Sequence, residues 1–372
     1  MQLIDSLFEI IHQNSDNQIS LYSLLCLYYI FNMSKWLNIE KIIDKMLNSV
    51  PDQISQNETL FTAFCSILVS ILAKYPCYIP SFINSKSFYI VYESVTINSP
   101  EMLSSSFSVY SFMFPNSDLN LVRRVTKQIS NVLYECLSSI KASPIIIKSA
   151  AETLSSLIKT NDDCLGIMIE SKALHCLVPF LKKNNFFISW KAIIDLLLNC
   201  VALLESNSQN WVELFSLIDF HHIFSLLLLN PTSECSNCII LLINNIICNE
   251  PGIIESLSLV QMYEIIQSGM NLFSFAQKIS TFRLLYTLVY HGVVQSFEMI
   301  FSDPVYPFHV DFIEYCSDKD FIFESLYNLF VKHQFINNEF IRSTFLQHYD
   351  DFCIDSTDSL FSKELQKIFW KT

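Results

Sequence analysis

Glycine is nearly missing from this chain: 372 residues hold four, Gly166, Gly252, Gly269 and Gly292, never closer than 17 positions. Phosphate-cradling loops and dinucleotide-binding turns need several glycines within a few residues, since only backbone without Cβ atoms can wrap closely around a phosphate, so both are excluded. Four glycines also cannot serve the hairpin turns of a large β protein. Charge is scarce as well, at 16% of residues, against about 25% in ordinary soluble domains. Positive charge is the scarcer sign: 23 Lys and Arg against 36 Asp and Glu, a net charge of −13. Within 298–358, twelve acidic residues face only Lys319, Lys332 and Arg342, so that stretch alone carries −9. Such a field disfavours nucleic acid and favours basic protein segments. No His-Glu-x-x-His run and no Gly-x-Ser-x-Gly elbow occurs, which removes the main signals of a zincin-type metal site and of that class of serine hydrolase.

The longest hydrophobic runs are expected to fall short of the roughly 20 apolar residues a membrane-spanning helix needs. The run 60–73 stops at Lys74, and 19–31 is interrupted by Ser20 and Ser23, so no membrane span is expected. Residues 1–14 contain no Lys or Arg but include Asp5 and Glu9, the opposite of a secretory leader. Twelve cysteines lie scattered without regular spacing, as in Leu25-Cys26-Leu27 and Ile247-Cys248, and read as small core residues in a reducing compartment. Cys235-Ser-Asn-Cys238, with His221 and His222 upstream, is a lone pair that suits helix packing better than zinc or redox chemistry. His309-Val-Asp311 and His348-Tyr-Asp-Asp351 are expected to make ordinary surface hydrogen bonds, and Lys182-Lys183 and Arg123-Arg124 with Lys127 to be solvated.

What is abundant is apolar surface: 51% of residues are hydrophobic, and 31 are phenylalanine. The length exceeds the roughly 250–300 residues over which one core keeps growing, yet no linker of biased composition divides it. A single continuous array over 1–372 is therefore expected. A helix-patterned segment recurs, clearest at Leu154-Ser-Ser-Leu157, Leu197-Leu-Asn199-Cys200, Leu241-Leu-Ile-Asn244 and Leu326-Tyr-Asn328-Leu329. Anchored on the small or polar residue near its end, it gives Tyr28, Ser70, Ser111, Ser156, Asn199, Asn244, Thr287 and Asn328, at intervals of 42, 41, 45, 43, 45, 43 and 41. Pro100, Pro144 and Pro231 precede three of these anchors by 11 to 13 residues and mark helix starts, because proline is tolerated where the first-turn N–H has no partner. Polar breaks at 159–163, 205–209 and 249–252 mark helix stops. Within one unit, Ile193, Ile194, Leu196, Leu197, Leu198 and Val201 form a wide apolar band that leaves Asp195 and Asn199 one turn apart on a narrow stripe. One such unit cannot hide its band alone, whereas stacked units can. The predicted fold is all-α, with 1–45 as an N-terminal capping repeat, 46–332 as central repeats clearest at 148–256, and 333–372 as a C-terminal cap. Leu3 to Ile11 and Ser362 to Trp370 supply the capping helices.

Ala150-Ala-Glu-Thr-Leu-Ser-Ser-Leu157, Ile169-Glu-Ser-Lys-Ala-Leu174, Leu177-Val-Pro-Phe-Leu181 and Leu197-Leu-Asn-Cys-Val-Ala202 together resemble the armadillo repeat, and Asn244-Asn-Ile-Ile-Cys-Asn-Glu-Pro251 is similar to the junction between two such repeats. Among members of that superfamily the chain is most similar to importin-α-like proteins. The resemblance implies an armadillo-like right-handed superhelical solenoid of about eight repeats of about 43 residues. Two departures stand out. Lys172 replaces the glycine between the first two helices, and the tryptophan expected four residues before each asparagine is absent, those positions holding Leu24, Ser66, Phe107, Glu152, Asp195, Ile240, Arg283 and Glu324.

In such solenoids the third helix of each unit lines a concave groove, so the resemblance places Glu152, Ser156, Asp195, Asn199, Asn244, Arg283, Thr287, Glu324 and Asn328 along a partner-binding stripe. Polar groups recurring at one phase of apolar helices are costly unless they meet solvent, a partner or the neighbouring repeat. The expected function is a non-catalytic protein-interaction scaffold or assembly subunit, not an enzyme, with no cofactor and no metal, in the cytoplasm or the nucleus. Its partner would be a protein offering a basic or extended segment. The alternative is an importin-α-like transport adaptor reading basic linear segments.

Overall fold

The computed structural model describes residues 2–13, 16–33, 39–96, 98–139, 142–159, 163–203, 234–316, 319–349 and 360–370, with Leu214, 216–219, 222–223 and Leu226 between. Among them every regular element is a helix. Contacts divide the chain into two compact units, Met1–Leu203 and Leu204–Thr372.

Unit 1 contains α1 (Gln2–Gln13), α2 (Asn17–Met33), α3 (Ile39–Asn48), α4 (Glu58–Lys74), α5 (Ile79–Ile83), α6 (Lys86–Glu93), α7 (Pro100–Met113), α8 (Leu119–Ser138), α9 (Pro144–Ile158), α10 (Asp163–Glu170), α11 (Ala173–Leu177) and α12 (Phe187–Leu203). Its helix starts have local causes. Pro100 and Pro144 occupy first turns as expected, and the side chains of Asn57, Ser85, Asp118 and Ser143 accept first-turn backbone N–H groups. A spine runs through the unit, because α1 packs on α2, α2 on α4, α4 on α7, α7 on α9 and α9 on α12. The five anchors Tyr28, Ser70, Ser111, Ser156 and Asn199 fall on the last five of these helices in turn.

Hydrogen bonds between neighbouring repeats carry the period directly. Lys74 Nζ donates to Asn32 Oδ1 at a separation of 42 residues, Ser87 Oγ to the Met46 carbonyl at 41, Thr153 Oγ1 to the Phe107 carbonyl at 46 and Ser156 Oγ to the Ser111 carbonyl at 45. In each case a hydroxyl or amine finds its acceptor one layer away, which satisfies the buried Ser87 and Thr153 donors.

Unit 2 contains α13 (Glu234–Asn249), α14 (Leu259–Gly269), α15 (Phe275–Tyr290), α16 (Val294–Ile300), α17 (Tyr306–Tyr315), α18 (Lys319–Tyr327), α19 (Glu339–Gln347) and α20 (Leu360–Trp370). Here α13 packs on α15, α15 on α18 and α18 on α20. Ser274 and Gln277 form a reciprocal capping box at the start of α15. The same period recurs, at 43 residues from Thr287 to Asn244, 43 from His333 to Tyr290 and 42 from His348 to Tyr306. The helical content and the one-repeat hydrogen bonds are consistent with an α solenoid. Pro231, His221 and the predicted stop at 205–209 lie outside the described residues.

Four expectations are corrected. Cys26 and Cys248, both taken as core residues, are exposed, as is Cys77, although Cys65, Cys136, Cys164, Cys176, Cys200 and Cys316 are buried. By length and composition one helix, Asn184–Leu203, is long and apolar enough to cross a membrane, and two bent pairs, Glu58–Lys74 with Pro76–Ile83 and Asp163–Glu170 with Ala173–Lys182, pass together. More than half of the Asn184–Leu203 window is buried inside the protein, where α9 covers α12. Lys183 is not simply solvated: its Nζ donates to the Leu137 carbonyl, 46 residues away, and lies 4.8 Å from the Phe180 ring centroid. His309 is no surface residue but wholly buried. At Lys172 the missing glycine is felt in the backbone, which takes the left-handed conformation there, with φ 60°.

Candidate functional groove

The predicted stripe becomes a groove in unit 1. Glu152 and Ser156 lie on α9 and Asp195 and Asn199 on α12, and together they line one cavity of about 670 Å³ between the two helices. Asn199 Nδ2 donates to Ser155 Oγ at 2.8 Å across the helix pair, and Ser156 donates back to the preceding layer. These amide and hydroxyl groups therefore spend part of their hydrogen-bonding capacity on holding repeats together. Glu152 is exposed and Asp195 half-buried, so the carboxylates remain accessible.

Three lysines that sequence reasoning missed share the groove. Lys148 stands one turn before Glu152, Lys191 one turn before Asp195, and Lys159 follows Ser156 by three residues. The signal was in the sequence, because 148, 152, 156 and 159 continue one helical stripe, as do 191, 195 and 199. Against the two carboxylates the three ammonium groups leave a lining charge of +1 by simple count. Lys148 Nζ lies 3.8 Å from Glu152 Oε1, a half-solvated i,i+4 pair that contributes little stability but fixes where the two signs sit along the wall. The groove has mixed charge, not the acidic character that a reader of purely basic segments would want.

In unit 2 the stripe does not assemble in this way. Arg283 is exposed and Asn244 and Glu324 are half-buried, but Thr287 is only 3% exposed and Asn328 only 1%. Thr287 Oγ1 lies 2.7 Å from Asn244 Oδ1 and 2.9 Å from the Arg283 carbonyl, two acceptors for its one proton, the first of which joins two repeats. Asn328 opens a short π-helical turn, Asn328–Lys332, at the end of α18, and neither atom of its amide has a hydrogen-bond partner among the described residues. Thr287 and Asn328 are therefore corrected from groove-lining to interior positions.

Unit 2 instead has an aromatic and imidazole cluster. Tyr286 Oη lies 2.6 Å from His309 Nε2, and His348 Nδ1 lies 2.6 Å from Tyr306 Oη. Phe282 and Phe312 stack at 5.1 Å, and Phe301 stacks on His348 at 5.2 Å. Burial, reinforced by the nearby His348, pushes His309 down to about 3, so this imidazole is neutral at ordinary pH. An imidazole with no exposed surface reaches no substrate, and its geometry suits packing. Burial also raises the Cys136 thiol to about 11, the opposite of what a nucleophilic or metal-binding cysteine needs. Among the described residues no group of three or more His, Cys, Asp or Glu is arranged to hold a metal ion.

No protein-family model matches the chain, and no curated protein matches it. Among solved structures, an engineered protein is 13% identical with a TM-score of 0.61 over 99% of this chain and 98% of its own. A second engineered protein is 14% identical, with a TM-score of 0.50, and covers 65% of this chain and 98% of its own. At such identities the likeness concerns the fold alone: a helical protein whose architecture is also reached by engineered sequences.

Proposed function

We propose that this chain is a non-catalytic protein-interaction scaffold or assembly subunit, an armadillo-like right-handed superhelix of about eight repeats of about 43 residues, that holds an extended partner segment in the groove between α9 and α12. The observation that carries this reading is the groove's wall of lysines and carboxylates, Lys148 and Glu152 on α9 and Lys191 and Asp195 on α12. A repeat wall presents groups at regular intervals along its length, which suits an extended chain better than a compact small molecule. The partner segment carries both signs, with acidic side chains opposite the lysines and basic ones opposite Glu152 and Asp195. An importin-α-like reading of purely basic segments is the less favoured alternative, since Lys148, Lys159 and Lys191 would repel them.

Fluorescence anisotropy on the full chain tests this with three labelled peptides, one lysine-rich, one glutamate-rich and one alternating lysine and glutamate. The alternating peptide is expected to bind best and to lose at least about tenfold in affinity, some 1.4 kcal/mol, in the Lys148→Glu, Lys191→Glu double variant. Preferential binding of the lysine-rich peptide would restore the adaptor reading. Equal affinities in the two proteins would remove this groove as the site.

A further inference from the structure

A second cavity, of about 440 Å³, lies within unit 2. Glu298 on α16, Phe301 and Asp303 in the turn after it, Tyr306 at the start of α17 and Phe340 on α19 line it. Backbone bonds fix the turn: the Val305 and Tyr306 N–H groups both donate to the Ser302 carbonyl, at 2.9 and 2.8 Å, and Val305 is wholly buried. On α19, Phe340, Thr344 and Gln347 follow at spacings of four and three, so one stripe of that helix supplies more of the wall.

The rings of this cavity hold one another in place. Phe301 stacks on Tyr306, with centroids 5.8 Å apart, and on His348 at 5.2 Å, while His348 Nδ1 lies 2.6 Å from Tyr306 Oη. Tyr306 and His348 are 42 residues apart, so the cavity lies where one period meets the next. Phe340 is 59% exposed, an aromatic ring left in water beside two carboxylates. No lysine or arginine lines the cavity. Among the described residues neither Glu298 nor Asp303 forms a salt bridge. Two of the three basic residues in the acidic 298–358 stretch are engaged with other rings, Lys332 with Tyr290 and Arg342 with Phe369.

Two independent features thus call for a cation: carboxylates without a counter-charge, and ring faces whose quadrupole attracts positive charge. A guanidinium satisfies both. It is planar, so it stacks on rings, and its five N–H donors match the carboxylates and the Thr344 and Gln347 oxygens. An ammonium has three donors and holds its water more tightly, and a quaternary ammonium has no donor for the carboxylates. We propose that this cavity binds the guanidinium of an arginine side chain presented by a protein partner, with Glu298 and Asp303 accepting its N–H groups and Phe301, Tyr306 and Phe340 packing on its faces. Free arginine fits less well, because its own carboxylate would meet Glu298 and Asp303 with no cationic residue in the lining to hold it, whereas in a peptide that carboxylate is an amide. The site lies wholly within unit 2 and requires nothing of the groove between α9 and α12.

Isothermal titration calorimetry on the full chain tests this with a short glycine peptide carrying one central arginine, and with its lysine and citrulline counterparts. The arginine peptide is expected to bind with a Kd below about 1 mM, the lysine peptide several-fold more weakly, and the citrulline peptide, which keeps the shape and loses the charge, at least about tenfold more weakly. Free arginine is expected to bind at least about tenfold more weakly than the arginine peptide. These comparisons use the wild-type chain, so they decide even if a variant fails to fold. The Glu298→Gln, Asp303→Asn double variant should lose about tenfold in affinity and Phe340→Ala about threefold, each with an unchanged helical circular-dichroism spectrum. The Glu314→Gln, Asp320→Asn double variant removes the same charge at two exposed positions of the same acidic stretch, outside the cavity lining, and should bind as the wild type does. No binding of the arginine peptide, equal binding of the citrulline peptide or of free arginine, or equal losses in the two double variants would each overturn the proposal.

Discussion

Neighbouring repeats in unit 1 are joined by hydroxyls and amides, whereas unit 2 adds to such one-period hydrogen bonds a cluster of rings that packs largely within one period. In unit 1, Ser87, Thr153, Ser156 and Asn199 each reach one period back to a carbonyl or hydroxyl. In unit 2, Phe282, Tyr286, Phe301, Tyr306, Phe312, His309 and His348 form one contiguous aromatic cluster. Polar bonds thus mark the period in both units, and unit 2 sets a ring cluster beside them. The charged groove of unit 1 lies along α9 and α12, which pack closely on each other, whereas Phe282 and Tyr286 of unit 2 are wholly buried in the ring cluster.

The comparison breaks most visibly if a ring of unit 2 is removed. Phe282→Ala should cost about 3–5 kcal/mol, read as a loss of protection in hydrogen exchange across 275–315, because a fully buried ring leaves a cavity. The isosteric Thr153→Val in unit 1, which removes one inter-repeat hydrogen bond while keeping the volume, should cost only about 1 kcal/mol. Equal losses would mean that the two kinds of joint bear equal weight.

Acid should separate the units next. His309 has a folded value of about 3 against an ordinary 6.5, so unfolding takes up a proton throughout that interval. Its contribution is fully present above about pH 6.5 and is lost as pH falls toward 3, on the order of a few kcal/mol in all. Exchange in peptides from 275–315 should therefore accelerate across this window. His309→Leu, although less stable at neutral pH because Tyr286 loses its partner, should show a shallower dependence. An unchanged slope in that variant would assign the acid sensitivity to other groups.

The smallest effect lies at Lys172. Its left-handed backbone costs about 1 kcal/mol for a residue with a Cβ, and glycine would relieve this at some cost in unfolded-chain entropy. Lys172→Gly is expected to raise stability by roughly 0.5 kcal/mol, measured by urea unfolding. Gly292, at φ 86°, is the position in unit 2 where the chain already uses glycine for such a bend, and there a Cβ would fall 2.7 Å from His333 Nδ1.

Much of the architecture was legible because stacking imposes a rhythm on composition. Pro100 and Pro144 start helices where expected, and the anchors from Tyr28 to Asn199 land on successive helices of one spine. The groove was legible in part. Glu152, Ser156, Asp195 and Asn199 do come together, but attention to the carboxylates hid the lysines one turn away. Cys26 shows the opposite failure: flanked by leucines it read as interior, yet it lies on the exposed side of α2.

Sequence alone determined that the chain is helical, that its apolar bands recur about every 43 residues, and that it holds no glycine-rich phosphate loop, because periodicity and composition are properties of the chain before it folds. Tertiary structure decided which member of each recurring polar set meets water. Thr287 and Asn328 occupy the same phase as Ser156 and Asn199 but are buried, because exposure depends on what packs over each helix and not on its spacing. The period therefore specifies the register of the stack but not the orientation of each helix within it.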